Sequence, residues 1–238
     1  MNKTYVSIGS GCASATLLKN RGLRNQSYPF DWILSHLQYV NNVIESLYTN
    51  NIDETVELFL NQENTSISST FVKHGDVDVS LKYVDDFGNI HDQKFEAYQT
   101  VTHDSNLGPE YPRHPYNSKY KVTFPHDTIG EENKIKYTTR LTRLKDLLLN
   151  TDEFITFVYV SPSSEDTHYT INGEPLTLEA STQLNHLCEF LISKRGNFEV
   201  VFVDSLKESV ILDNKINKIN VEPFKNWFPM ITKNKIEF

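Results

Sequence analysis

The chain has 238 residues, 38% of them hydrophobic and 23% charged, with a formal net charge of −8. That composition belongs to an ordinary globular protein, long enough to bury a core without staples. The acidic balance, with no long basic run, argues against nucleic acid as the main partner, because phosphate contacts need clustered Lys and Arg. Two cysteines, Cys12 and Cys188, make no disulfide framework. The N-terminus shows no signal-peptide pattern and no run is long enough to span a bilayer, so the expectation is a cytoplasmic protein with no membrane partner.

In chain order, Tyr5, Val6 and Ile8 read as a short buried strand. Gly9-Ser10-Gly11 is a turn with little side-chain bulk, and Cys12 opens a helix carrying Ala13, Ala15, Leu17 and Leu18. A strand that turns sharply into a helix leaves the first helical residues at the strand's carboxyl edge, where open α/β sheets hold ligands. Free N–H groups and the positive end of the helix dipole face the same spot, and a cysteine there tends toward thiolate. The bland alternatives are a phosphate-binding turn or a small buried thiol. In Tyr28-Pro29-Phe30-Asp31-Trp32, aromatic residues surround one carboxylate. Asp31 is expected either to cap a helix starting near Ile33 or to serve a site. Leu37, Val40, Val43 or Ile44, and Leu47 form a helical stripe, with His36 ahead of it on the surface.

Asn50 to Ser69 reads as a short helix around Val56–Leu60 and a loop. Val77, Val79, Leu81 and Tyr83 alternate with polar residues as a strand, and Ile90 to Tyr98 returns as its partner. Thr102 to Pro125 is loop-like. Tyr137, Leu141, Leu144 and Leu148 share one helix face, with Arg140 at its flank within reach of a buried carboxylate and Arg143 turned to a surface pair. Phe154–Val160 and Phe198–Val203 are apolar runs of central strands, the second ending at Asp204, a site candidate by position. The helix from Thr177 to Lys194 buries Ala180, Leu184, Leu187, Leu191 and a structural Cys188, and leaves His186 in solvent. Val210–Leu212 is a possible short strand, and Phe224, Trp227 and Phe228 in the tail dock on the body. The predicted fold is α/β: one domain over 1–238 with a mostly parallel sheet flanked by helices, and a β-hairpin and loop insertion over roughly 70–125.

Three of the eight histidines precede Asp: His91, His103 and His126. A thiol nucleophile needs a base, and the base an orienter. No Cys-x-x-Cys, His-x-x-x-His or His-Glu-x-x-His spacing occurs, so no metal site is expected, and the incomplete glycine pattern gives no reason to expect a nucleotide or other cofactor.

Ser7-Ile-Gly-Ser-Gly-Cys12, Leu17-Leu-Lys-Asn-Arg-Gly-Leu-Arg24 and Ser27-Tyr-Pro-Phe-Asp-Trp32 together resemble the opening signature of the family described as putative papain-like cysteine peptidases, a domain of unknown function. Phe124-Pro-His-Asp127 followed by Tyr137-x-x-Arg140-x-x-Arg143 is similar to its second block. The resemblance covers most of the first 160 residues. It implies Cys12 as nucleophile, His126 as general base and Asp31 as the leading orienter. Asn226-Trp227 would keep the Cys, His, Asn order of papain-like enzymes.

Three readings follow. In the first, a cysteine-dependent hydrolase or acyltransferase uses Cys12, His126 and Asp31, and the N–H groups of Cys12 and Ala13 stabilise the oxyanion. Ser10, Gly11, Arg140 and Trp32 would then bind a peptide, ester or glycan substrate. In the second, the Gly9–Cys12 turn and Arg140 hold an anionic or sugar ligand without covalent chemistry. In the third, the chain is a non-enzymatic interaction protein whose Pro-Phe-Asp-Trp block is purely structural.

Overall fold

The computed structural model describes residues 3–9, 11–60, 65–73, 79–84, 90–95, 98–102, 113–117, 122–124, 127, 130–161, 170–171, 174–175, 179–204 and 211–220. Its centre is a sheet of β1 (Lys3–Ser7), β9 (Phe154–Val160), β12 (Phe198–Asp204) and β13 (Ile216–Asn220), in that order and parallel throughout. The apolar runs of β9 and β12 are covered on both faces, as parallel strands require. Alternate residues separate into two clusters. Val6, Ile8, Ile155, Phe157, Tyr159, Val200 and Phe202 belong to the larger one. Val158, Val160, Val201 and Val203 pack with Ala13, Leu17 and Leu18 of α1 (Ala13–Asn20) on the opposite face.

The larger face is covered by α2 (Leu37–Thr49), α4 (Glu131–Leu149) and α5 (Ala180–Ile192). Each buries the stripe its sequence predicts: Leu37, Val40, Val43, Ile44 and Leu47; Tyr137, Leu141, Leu144 and Leu148; Ala180, Leu184, Leu187, Cys188 and Leu191. Cys188 is buried in this layer, and burial pushes its thiol up to about 12, as an inert structural thiol requires. His186 is exposed, as expected, and meets Glu45 at 2.8 Å. The short helix α3 (Ile52–Leu60) contributes Phe59, whose ring lies 5.0 to 6.0 Å from those of Phe30, Tyr39, Phe124 and Tyr137. This aromatic cluster fastens the Tyr28–Trp32 block and the chain ahead of His126 to α4.

The middle of the chain forms a second, largely antiparallel sheet, beginning earlier than predicted. β3 (Thr65–Lys73), β6 (Tyr98–Thr102), β7 (Arg113–Asn117), β8 (Val122–Thr123), β10 (Thr170–Ile171) and β11 (Glu174–Pro175) join β2 (Leu34–Ser35) in the order β11-β10-β6-β3-β7-β8-β2. The predicted hairpin is present as β4 (Val79–Val84) paired with β5 (Ile90–Phe95). Two loop readings are corrected: Asn50–Ser69 holds the start of β3, and Thr102–Pro125 holds β7 and β8, whose polar residues gain their order from backbone pairing. Ile211 to Asp213 is irregular, and the last strand of the parallel sheet is β13 instead. The tail residues Phe224, Asn226, Trp227 and Phe228 lie outside the described residues.

Candidate functional site

The carboxyl edge of the parallel sheet carries the Gly9–Cys12 turn. Ser7 is level with Val158, and Ile8 donates its N–H to the Val158 carbonyl at 3.0 Å. The turn is then pinned from α1. Ser14 Oγ donates to the Gly9 carbonyl at 3.0 Å and accepts the Val160 N–H at 3.0 Å, tying turn, helix and β9 together. Gly9 and Gly11 have φ of +110° and +107°, backbone that side chains with a Cβ rarely adopt. A Cβ on Gly11 would lie 3.0 Å from Leu34 Cδ2, so the turn also needs glycine for its close approach to β2.

Cys12 is the residue before α1, half-buried, in αR conformation, with Thr16 N–H on its carbonyl at 2.8 Å. It stands where the sequence placed it, while its burial works against the thiolate that a helix terminus favours. Burial pushes the thiol up to about 11, and its own backbone hydrogen bond pulls it down only in part. Burial outweighs that bond, so the described surroundings alone favour the neutral thiol over the thiolate.

Asp31 is 1% exposed and does not cap a helix: α2 begins at Leu37, with a half-buried His36 at its N-cap rather than a surface one. Three donors converge on Asp31 Oδ2: Arg24 Nε at 3.0 Å, Arg24 Nη2 at 2.8 Å and the Tyr28 N–H at 3.0 Å. None of them uses Oδ1. Burial raises the Asp31 carboxyl above its ordinary range, and Arg24, the Tyr28 N–H and the charge of Arg140 offset part of that rise. Trp32 is half-buried, with the Arg24 guanidinium 5.5 Å from its ring centre.

The second block is built on α4. Phe124 is buried, Asp127 donates its N–H to the Phe124 carbonyl at 3.2 Å, and the Asp127 carboxylate accepts from Tyr137 Oη and Lys136 Nζ. His126, enclosed in sequence between these fixed residues, lies outside the described residues, as does Ser10. One turn along α4, Arg140 lies over the Tyr137 ring at 5.6 Å. Its Nη1 is buried without a hydrogen-bond acceptor. Arg143, predicted to serve a surface pair, instead donates to the Ser27 carbonyl at 2.6 Å. Residues 137, 140 and 143 thus run one helix ridge past both signature blocks.

At the far side of the same edge, Asp204 is fully buried and meets Lys218 Nζ at 2.6 Å. Sequence reasoning passed over Ser14, Arg24 and Tyr137 as site-building residues. Ser14 falls between the first two signature segments, while Arg24 and Tyr137 stand inside the family blocks; an arginine seven residues before a buried aspartate is a usable signal. Among the described residues no group of three His, Cys, Asp or Glu side chains could hold a metal ion, and no helix is long and apolar enough to cross a membrane.

This architecture is that of an α/β protein presenting a cysteine on a strand-to-helix turn. A family model described as putative papain-like cysteine peptidase (DUF1796) matches residues 3–204, and the chain belongs to that family. The match reaches the end of β12, well past the residues that carry the resemblance in the sequence. No curated protein and no solved structure matches the chain.

Proposed function

We propose that the chain is a cysteine-dependent hydrolase or acyltransferase with Cys12 as nucleophile, His126 as base and Asp31 as orienter. The observation that carries this reading is the position of β2. Leu34 and Ser35 lie against Gly11 and Gly9 on one side and pair with Thr123 and Val122 of β8 on the other. The strand that leads into Phe124-Pro125-His126 therefore starts one strand away from the Cys12 turn. The three-donor anchoring of Asp31 Oδ2, with Oδ1 outside it, suits an orienter that holds its place with one oxygen and serves an imidazole with the other.

In the reaction the Cys12 sulfur attacks an acyl carbon as its proton passes to His126, and a C–S bond forms. The N–H groups of Cys12 and Ala13 face the oxyanion. The carbon–leaving-group bond breaks as the imidazolium returns the proton to the leaving group. Water, or an acceptor nucleophile, then releases the acyl group from sulfur with His126 again as base. A thiol held up near 11 needs such a base, because the turn itself does not supply the thiolate. The test is covalent trapping: an activated ester should leave an acyl group on Cys12 of the wild-type chain and none on Cys12→Ala or His126→Gln. Equal acylation of His126→Gln overturns the assignment.

The raised thiol and the unaccepted Arg140 Nη1 together favour one second reading, a binding module for an anionic ligand without covalent chemistry. Ligand affinity unchanged in Cys12→Ser, with no adduct in the mass spectrum, would select it.

A further inference from the structure

The two signature blocks contain two buried carboxylates, and each already has its own cation. Asp31 holds Arg24 in an ion pair of 2.8 Å, and Asp127 holds Lys136. Arg140 lies over the Tyr137 ring, and none of its nitrogens takes part in an ion pair among the described residues. Its Nη1 is shielded from water and has no acceptor. A guanidinium stays ionised at any working pH, and a desolvated, unaccepted N–H donor of such a group is costly unless an anion completes it. Arg143, three residues on, shows the contrast, since its Nη1 is satisfied by the Ser27 carbonyl.

The location is equally informative. Asp31 feels the Arg140 charge, and Asp31 is followed within three residues by Leu34, which touches Gly11. Tyr137, beneath the guanidinium, grips the residue after His126. We infer that Arg140 is a specificity-determining residue that receives an anionic group, a carboxylate or phosphate, carried by the acyl donor that Cys12 attacks. This inference rests on the nucleophile reading and names the substrate class for it. The planar fork of Arg suits two-point pairing with either anion.

Two alkylating reagents of similar size and opposite demand test it: iodoacetate, an anion, and iodoacetamide, which is neutral. Rates are read on the Cys12 peptide by mass spectrometry, using the full chain at low ionic strength. The expected result is a preference for iodoacetate that falls roughly three- to tenfold in Arg140→Gln, survives in Arg140→Lys and weakens with added salt. Inorganic phosphate should slow iodoacetate and leave iodoacetamide unchanged, a test that needs only the wild-type chain if Arg140→Gln does not fold. A rate ratio indifferent to Arg140→Gln and to phosphate overturns the assignment of Arg140 while leaving a reactive Cys12 in place. Failure of both reagents to reach Cys12 at any pH overturns the nucleophile reading itself, and this inference with it.

Discussion

Leu34 is paired to Thr123 across an antiparallel bridge while its side chain sits 3.0 Å from the place where Gly11 would carry a Cβ. One residue thus touches the turn that carries Cys12 and the strand that leads to His126. Two segments more than a hundred residues apart in sequence are held at one edge of the parallel sheet by a two-residue strand.

That contact makes Gly11 sensitive. Gly11→Ala adds a methyl group against Leu34 at a φ of +107°. A loss of about 1–3 kcal/mol is expected. Urea unfolding followed by tryptophan fluorescence measures it, and an unchanged midpoint would mean that the turn relaxes without cost.

Asp31 separates stability from function. Burial raises its carboxyl, so the native state binds that proton more tightly than the unfolded chain does. As pH rises from the ordinary carboxylate range through the raised value, Asp31 therefore subtracts stability. Asp31→Asn, which keeps the shape and one accepting oxygen, is expected to match or exceed the wild type in unfolding midpoint at neutral pH while losing acyl transfer. Asp31→Ala strands Arg24 and the Tyr28 N–H, at a cost of about 2–4 kcal/mol. Equal losses in the two variants would reduce Asp31 to a structural group.

Tyr137 donates to Asp127, next in sequence to His126. Tyr137→Phe leaves a buried carboxylate with Lys136 alone and is expected to cost about 1–3 kcal/mol in denaturant unfolding. Cys12 acylation should fall by more than this loss of folded protein explains, since the residues flanking the imidazole lose an anchor. A fall in proportion to folded protein only would confine Tyr137 to the core.

At the other end of the edge, Lys218→Met removes the ammonium that faces fully buried Asp204. Breaking one side of such a pair costs about 3–5 kcal/mol. Thermal unfolding at neutral pH measures it, and restoration of the midpoint by adding Asp204→Asn would identify the lost charge pairing with Lys218 as the cause.

Much of this was legible in the residues. β9 and β12 are apolar at nearly every position, and α4 shows Tyr137, Leu141, Leu144 and Leu148 at helical spacing, so each element announces itself through its own burial. β3, with Thr65-Ser-Ile-Ser-Ser-Thr70, and β13, with apolar residues only at Ile216 and Ile219, carry no period-two pattern. They are strands because a neighbour offers backbone partners, information held elsewhere in the chain. The same holds in the site. The turn at Cys12 is local and was readable, whereas its thiol is raised by packing that no short window contains. Arg143 reads as a surface residue from its own helix because its acceptor, Ser27, lies 116 residues away.

The central claim is that an imidazole from the second block works on the thiol of the first. The rate of Cys12 alkylation by iodoacetamide against pH, in the wild type and in His126→Gln, tests it most directly. The account expects a wild-type profile with a component that titrates near neutral pH, where an unperturbed histidine ionises, and a His126→Gln profile that only climbs toward about 11, the range to which burial pushes the thiol. Two superimposable curves, both rising only at high pH, would contradict it.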